Sequence, residues 1–404
     1  VPDARLEQYR RKRNKDRTPE PVPSARKGRA ATPTGRGDGR PTFVIQEHHA
    51  TALHWDFRLE HDGVLVSWAL PKGVPMDPAH NHLAVATEDH PLEYGTFSGT
   101  IPAGEYGGGQ VTIWDHGTYD PAKWTEHEIK VDLHGERVEG TYVLFPTGGS
   151  QWMIHRMDPA PEGYTPLPDR LSPMLATAGE LPTGPGWAFE FKWDGVRVLV
   201  WVDGGRARAL SRNGHDITGS FPELRRLGEA IGSDQVLLDG ELVVLDPDGT
   251  PRFSRLQHRL QVGSAAGVAR AAERDPVSVI LFDLLHLNGR ALLAAGYDER
   301  RRLLEGLGLS GPDWGVTPSF TEETGADVLS IATAVGMEGV VAKRRDSPYR
   351  AGKRSKEWVK TKALRTQEVV VGGWTPGQGN RRDVFGSLLL GVPDPGQGGA
   401  LAYV

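Results

Sequence analysis

The run Leu53-His-Trp-Asp-Phe-Arg-Leu-Glu60 alternates apolar and polar residues without a break. Successive side chains of a β-strand face opposite sides, so His54, Asp56, Arg58 and Glu60 share one face. Leu53, Trp55, Phe57 and Leu59 take the other. A half-exposed strand ordinarily fills its polar face with Thr, Lys, Glu or Ser, and His, Asp and Arg are costlier choices. His48 and His90 add imidazoles within the same stretch of chain. Two imidazoles and a carboxylate without a thiolate suit Mn²⁺ or Zn²⁺, and an arginine with a third histidine suits a phosphate. Spacing alone leaves the plainer alternative open, a strand whose histidines are merely satisfied by hydrogen bonds.

A second group lies further on. Glu190-Phe-Lys-Trp-Asp-Gly-Val-Arg197 contains Lys-x-Asp-Gly-x-Arg. A lone surface lysine at a strand end would need no accompanying pattern, but here more follows in order: Ser211-Arg-Asn-Gly214, Leu238-Asp-Gly-Glu-Leu242, Leu281-Phe-Asp283, Glu338-Gly-Val-Val-Ala-Lys343 and Trp358-Val-Lys-Thr-Lys362.

The elements that must position these residues differ along the chain. Residues 41–157 hold eight short β-prone runs (42–45, 53–59, 64–69, 83–87, 110–114, 129–133, 140–145 and 151–155) separated by turn residues such as His61-Asp62-Gly63. That spacing predicts an all-β sandwich or barrel. Residues 158–172, rich in proline, read as a linker. Residues 173–362 mix strands (188–192, 196–202, 236–245, 277–283) with helices over 222–231, 298–306 and 322–335, an α+β pattern. Residues 363–404 offer two or three strands and stop short of the roughly five that a closed barrel needs. The expected fold is therefore multidomain.

Charge is unevenly distributed. The 404 residues carry 47 Lys and Arg against 52 Asp and Glu, a net −5. Residues 1–40 nevertheless hold twelve basic residues against five acids, and residues 339–382 twelve against three. The two zones suit a polyanion touching the protein in separate places, or else a solvated tail and an ordinary basic surface. With few apolar residues, the arm 1–40 is expected to be largely mobile. There is no cysteine, which excludes disulfide scaffolds and thiolate zinc sites. No apolar run approaches the ~20 residues that span a bilayer, so no membrane partner is expected.

The first block resembles the 3′-phosphoesterase domain of bacterial ligase D, in Gln46-Glu-His-His-Ala, Leu53–Glu60, Ser67-Trp-Ala-Leu-Pro-Lys-Gly, Glu88-Asp-His-Pro-Leu-Glu-Tyr, Gly99-Thr-Ile-Pro-Ala-Gly-Glu-Tyr-Gly and Val111-Thr-Ile-Trp-Asp. The resemblance implies a small barrel that trims 3′-terminal ribonucleotides and 3′-phosphates with a divalent metal, typically manganese. It assigns His48, His54 and Asp56 as metal ligands and Arg58 and His90 to the phosphate, with Lys72, Glu88 and Tyr94 in support. The family often has a basic residue where this chain has His82, and an acid at Asn14.

The second motif set resembles the covalent nucleotidyltransferases, most closely the ATP-dependent ligase module of the same family. The resemblance implies that Lys192 attacks the α-phosphorus of ATP to form a lysyl-adenylate. AMP then passes to a DNA 5′-phosphate before the strand is sealed. A nucleophilic lysine must be neutral when it attacks, which neighbouring cations such as Lys360 and Lys362 favour. By resemblance Glu190 reads the adenine amino group and Phe282 stacks on the base. Arg197 and Glu241 hold the ribose region, Arg212 takes the nick 5′-phosphate, Glu338 binds Mg²⁺ or Mn²⁺, and Lys343, Lys360 and Lys362 join the nucleotide contacts. Asp239 reads as a turn residue before Gly240, and Trp193 and Trp358 as packing aromatics.

Residues 369–392 resemble the opening of an oligonucleotide-binding (OB) fold, and its incompleteness predicts impaired self-adenylation. Implied partners are double-stranded DNA ends and nicks, the bacterial Ku protein and a separately encoded polymerase, in the cytoplasm near the nucleoid. Two competing readings remain. One is an RNA ligase or capping enzyme, which shares Lys-x-Asp-Gly; the other is a DNA-end scaffold with an inactive ligase half.

Overall fold

The computed structural model describes residues 2–23, 39–363, 368–379, 382–393 and 400–403. It divides into two units, Val1–Thr361 and Lys362–Val404.

The first unit opens with two short helices, α1 (Pro2–Arg5) and α2 (Glu7–Arg11). Nine strands follow: β1 (Thr42–His49), β2 (Leu53–His61), β3 (Val64–Leu70), β4 (His82–Ala86), β5 (Gly99–Ile101), β6 (Gly109–Trp124), β7 (Ile129–Gly135), β8 (Glu139–Gly148) and β9 (Gln151–Arg156). They run in the order β1-β2-β3-β4-β9-β8-β7-β6, and pairing of β1 with β6 closes the ring, leaving β5 as an extra strand on β6. This is the expected all-β barrel, its eight ring strands falling on the eight β-prone runs. The turn at Asp62-Gly63 has positive φ at both residues (52° and 79°), the conformation favoured in two-residue hairpins. Phe43, Ile45, Trp55, Phe57, Leu59, Trp68, Leu133, Tyr142 and Leu144 form one buried cluster within the ring.

The arm departs from expectation over residues 2–23. Tyr9 is fully buried beside Leu65, Leu92 and Tyr94. The arm's cations find acids on the barrel: Arg5 with Asp89 at 2.6 Å, Lys12 with Glu88 at 2.9 Å and Arg13 with Glu88 at 2.8 Å. Charge complementarity and one tyrosine anchor do what apolar content does not. Residues 24–38 lie outside the described residues.

Residues 158–172 contain no strand or helix and run pinned along the second domain. Thr165 donates its N–H to the Gly289 carbonyl at 2.5 Å, and Trp201 its Nε1–H to the Pro168 carbonyl at 2.6 Å.

The next strands are β10 (Leu175–Ala178), β11 (Trp187–Lys192), β12 (Val196–Asp203), β13 (Arg206–Ser211), β14 (Val236–Val243), β15 (Ser278–Leu287) and β16 (Arg290–Ala291). They are followed by β17 (Trp314–Val316), β18 (Ser319–Phe320), β19 (Gly339–Arg344) and β20 (Arg354–Lys362). They form two sheets, β10-β20-β19-β11-β18 and β13-β12-β14-β15-β16, with β17 beside β15. Helices α3 (Glu223–Ile231), α4 (Phe253–Leu260), α5 (Ala265–Arg274), α6 (Tyr297–Gly306) and α7 (Gly325–Ala334) complete the α+β domain. The three expected helices are α3, α6 and α7. A capping box between Thr324 and Asp327 starts α7 later than the apolar pattern suggests. Helices α4 and α5 were not expected; α5 is built mostly of small residues, with Val268 its one large apolar side chain.

Strand β12 is buried on both faces. Val198, Val200 and Val202 join the cluster under α3, and Leu199 and Trp201 join Phe282 and Trp358 on the other side. The second unit is a three-stranded antiparallel sheet, β21 (Val370–Pro376), β22 (Phe385–Pro393) and β23 (Leu401–Tyr403). Among the described residues no helix is long and apolar enough to cross a membrane.

Gly228 lets α3 lie against the β12–β13 hairpin, since a Cβ there would sit 2.6 Å from the Gly205 carbonyl oxygen. Glycine inside a helix ordinarily costs about 1 kcal/mol relative to alanine. Here the sign reverses: Gly228→Ala is expected to destabilise by roughly 1–3 kcal/mol, because the backbone must shift. A lowered urea midpoint by tryptophan fluorescence is the expected result, and a raised one contradicts the close approach.

Two candidate active sites

The first site sits on the outer, polar face of β1 and β2. The two strands pair with His48 opposite His54 and Gln46 opposite Asp56. The ligand atoms of His48, His54 and Asp56 all lie within 4.8 Å of one another. Each imidazole has one nitrogen against a main-chain carbonyl: His48 Nε2 at 2.8 Å from Gly107 O, His54 Nδ1 at 3.0 Å from Ala52 O. Donation to those carbonyls leaves His48 Nδ1 and His54 Nε2 bare, and both face Asp56, at 3.4 and 3.8 Å. Oriented imidazoles of this kind are what a dication site requires, and the N,N,O donor set fits manganese or zinc. Burial opposes charge on Asp56, but the Arg58 guanidinium prevails and holds its carboxyl well below the usual carboxylate range.

Arg58 joins this cluster to a buried pocket of side chains around His90. Its buried guanidinium donates to Asp56 Oδ2 and Gln46 Oε1 at 2.9 and 2.8 Å, and Nη1 lies 2.9 Å from His90 Nδ1. Tyr94 lies under the guanidinium, 4.8 Å from its ring centroid. His90 faces a second guanidinium, with Arg13 Nη2 3.2 Å from its Nε2. Burial and then the charges of Arg58 and Arg13 push His90 well below the ordinary histidine range, so it is neutral. Its Nδ1 lies 2.8 Å from the Glu88 carbonyl.

Sequence reasoning missed Arg13, together with Tyr9 and Glu20. Arg13 is bound to Glu20 and Glu88, both at 2.8 Å, and lies 3.8 Å over the Tyr9 ring. The available signal was an aromatic four residues before a basic residue in an otherwise polar arm. Glu88 and Tyr94 stand beside the pocket as expected, but both are tied to the arm, Tyr94 by donating its hydroxyl to Glu20 at 3.1 Å. Lys72 is not brought to this pocket. It pairs with Asp203 of the second domain at 3.6 Å and lines a different cavity with His82. Asn14 accepts only a local bond, from the Asp16 N–H at 3.1 Å.

The second site is a cavity of about 200 Å³ between the two sheets of the second domain. Strand β11 ends at Lys192, and Gly195 lets β12 begin hard against β14, where a Cβ would lie 2.1 Å from the Leu242 carbonyl oxygen. This is the physical reason for glycine in Lys-x-Asp-Gly-x-Arg. The cavity gathers Glu190, Lys192, Arg197, Arg212, Glu241, Phe282, Lys343 and Lys360. Lys192 is ion-paired with Glu338. Lys362 is the last residue of β20 and belongs to the second unit.

Several of these charges are locked. Glu190 pairs with Lys343 at 2.8 Å and accepts the Tyr297 hydroxyl at 2.6 Å, so its carboxylate braces the sheet. Burial pushes Lys343 down, although Glu190 opposes it. Asp239 is no turn residue: it is fully buried in β14, accepts two bonds from Arg197 at 2.5 and 2.6 Å, and a third from Tyr349. Arg197 is thereby held 4.6 Å over the Phe282 ring. Trp358 is buried against Phe282, and Trp193 donates to Thr317 at 2.9 Å. Glu241, on the cavity wall, has its carboxyl pushed up to about 7, chiefly by burial.

Comparison with known proteins bears on both halves. Residues 46–146 match the family described as the DNA ligase D 3′-phosphoesterase domain, and residues 173–362 the ATP-dependent DNA ligase domain. The multifunctional non-homologous end joining DNA repair protein LigD of Mycobacterium tuberculosis is 48% identical over 399 residues, covering 97% of this chain and 50% of its own length. The Pseudomonas aeruginosa counterpart is 36% identical over 452 residues, covering 98% of this chain and 52% of its own length. The crystal structure of the ligase domain from Mycobacterium tuberculosis LigD is 43% identical, covers 58% of this chain and 71% of that one, and gives a TM-score of 0.43. The chain spans about half the length of the curated relatives it matches. With both matched regions present, in that order, and the sequence-predicted residues of each site inside its own region, the chain belongs to the ligase D family, a 3′-phosphoesterase domain followed by an ATP-dependent DNA ligase domain.

Proposed function

We propose that the chain repairs DNA ends in two reactions at two sites: metal-assisted removal of a 3′-terminal ribonucleotide or phosphate, and ATP-dependent sealing of the strand. The observation that carries the first is the pair of bare imidazole nitrogens facing Asp56, next to a neutral histidine between two guanidiniums. His48, His54 and Asp56 would hold the dication, which supplies Lewis-acid stabilisation of a phosphate oxygen when bound. Arg58 and Arg13 offer fixed N–H donors to the other oxygens, where charge grows in the transition state. His90 is neutral and hence able to take or give a proton at Nε2.

For sealing, the Lys192–Glu338 ion pair must part and Lys192 must lose a proton before its Nζ attacks the α-phosphorus of ATP. The N–P bond forms as the bond to pyrophosphate breaks, and AMP remains on Lys192. Phe282 offers a face for the base. Arg197, neutralised by Asp239, supplies direction more than net charge. Arg212 and Lys360, at the same cavity, suit the phosphates. By kinship the proposed partners are nicked and broken DNA and a Ku protein, in the cytoplasm.

Incubation with Mn²⁺, ATP and a nicked duplex bearing one 3′-ribonucleotide reads both reactions. His54→Ala is expected to reduce trimming by roughly a hundredfold or more while a ready nick is still sealed; full manganese-dependent trimming by that variant would falsify the metal assignment. Lys192→Ala is expected to take no label from α-labelled ATP yet to trim normally, and labelled protein would exclude Lys192 as the nucleophile.

Glu241 gives a pH test. Its folded-state carboxyl is raised from 4.5 to about 7, so its contribution to stability is whole below 4.5 and lost as pH rises through 7. Replacing it with glutamine removes that loss. Glu241→Gln is expected to gain about 1–3 kcal/mol relative to the parent between pH 5 and pH 8. Urea midpoints at the two pH values measure this; a gap that does not change with pH contradicts it.

A further inference from the structure

A larger cavity, about 690 Å³, lies where the barrel meets the nucleotidyltransferase domain, away from both sites. Its size falls within the range of ligand pockets, roughly 300–1,000 Å³. Each wall carries an arginine against a tryptophan. On the barrel side Arg137 lies 5.2 Å over Trp114; on the other, Arg208 lies 4.9 Å over Trp201, its partner across β12 and β13. Arg206 follows the hairpin turn, and Tyr164 projects from the pinned segment.

The formal charges of the lining balance, but their engagement does not. Of the four acids, Asp77 is bound to His80 at 2.9 Å, Asp234 accepts from Asn288 at 2.7 Å, and Asp203 is shared by Lys72 and Gln235 at 3.6 and 3.3 Å, which leaves Asp169 against three arginines. Among the described residues no carboxylate pairs with Arg137, Arg206 or Arg208; Arg208 donates to the main-chain oxygen of Asp169 instead. Unpaired guanidiniums beside half-buried aromatic faces are what a flexible polyanion with flat bases requires.

We propose that this cleft is a third nucleic-acid site, which takes a single-stranded DNA segment by its phosphodiester backbone through Arg137, Arg206 and Arg208 and stacks its bases on Trp114 and Tyr164. It would hold the strand while its 3′ terminus moves between trimming and sealing. The proposal goes beyond the two activities and rests only on the reading of the chain as a DNA enzyme, because binding is measurable when neither reaction runs.

The test uses the full chain in EDTA without ATP, with a fluorescent oligothymidylate titrated at several salt concentrations. Each phosphate contact on a single strand contributes about 0.7 to the slope of log affinity on log salt, so three arginines account for about 2. The Arg137→Ala, Arg206→Ala, Arg208→Ala triple variant should lose that slope and at least about tenfold in affinity, with an unchanged melting temperature. The triple Arg→Lys variant should retain the slope. A bromouracil-substituted oligonucleotide should crosslink to peptides containing Trp114 or Tyr164. An unchanged affinity and slope, or crosslinks confined to the Lys192 cavity, overturns the proposal. Displacement of the oligonucleotide by ATP or inorganic phosphate at matched ionic strength also overturns it, since the cleft would then be a small phosphate site.

Discussion

Pairing of β1 with β6 closes the barrel, and everything in its half of the chain follows from that closure. A ring without edges has an inside that admits only apolar side chains, here Phe57, Trp68, Leu133 and their neighbours. The strict alternation of β2 therefore puts all of its chemistry outside, where water would weaken every electrostatic contact. The arm, with Tyr9 seated beside Leu92 and Tyr94, is what covers Arg58 and His90. Core and catalytic face are two consequences of one period of two.

The nucleotidyltransferase domain reaches preorganisation by another route. Its cavity walls hold charges already committed to partners: Arg197 to Asp239, Lys343 to Glu190, both inside the protein. Breaking such a buried pair by removing one member costs roughly 3–5 kcal/mol, because the survivor is left uncompensated. These pairs act less as glue than as fixtures, holding Phe282 and Trp358 in place between them. In the Lys192–Glu338 pair neither member is fully buried, and it can be broken at lower cost.

What could be read from the chain depended on the range of the interaction. The alternation in Leu53–Glu60 is local, and it yielded the strand and the shared face of His54 and Asp56, to which the family resemblance added His48. The arm could not be read in this way, since the acids that order it, Glu88 and Asp89, lie some seventy-five and more residues away. Asp239 followed local turn chemistry, Asp before Gly, while its environment is set by Arg197 and Tyr349 from other elements. Lys72 stands in the right motif but meets Asp203 across the domain boundary, a contact that no local pattern reveals. Helix α5 has an apolar face made of alanines and one valine, too slight to stand out beside its serine cap.

The phosphate pocket is inherited in two pieces. The metal ligands belong to the barrel strands, and Arg13, the cation facing them across His90, arrives on a separate arm. The two can therefore diverge at different rates. A barrel that drifts keeps its histidines because they are fixed by main-chain carbonyls, which no point mutation of a neighbour removes. The arm is held by a few side-chain ion pairs and one tyrosine, so small changes there can retune which strand terminus is accepted. Twenty-odd residues of arm can thus change without touching the three residues that gather on the barrel.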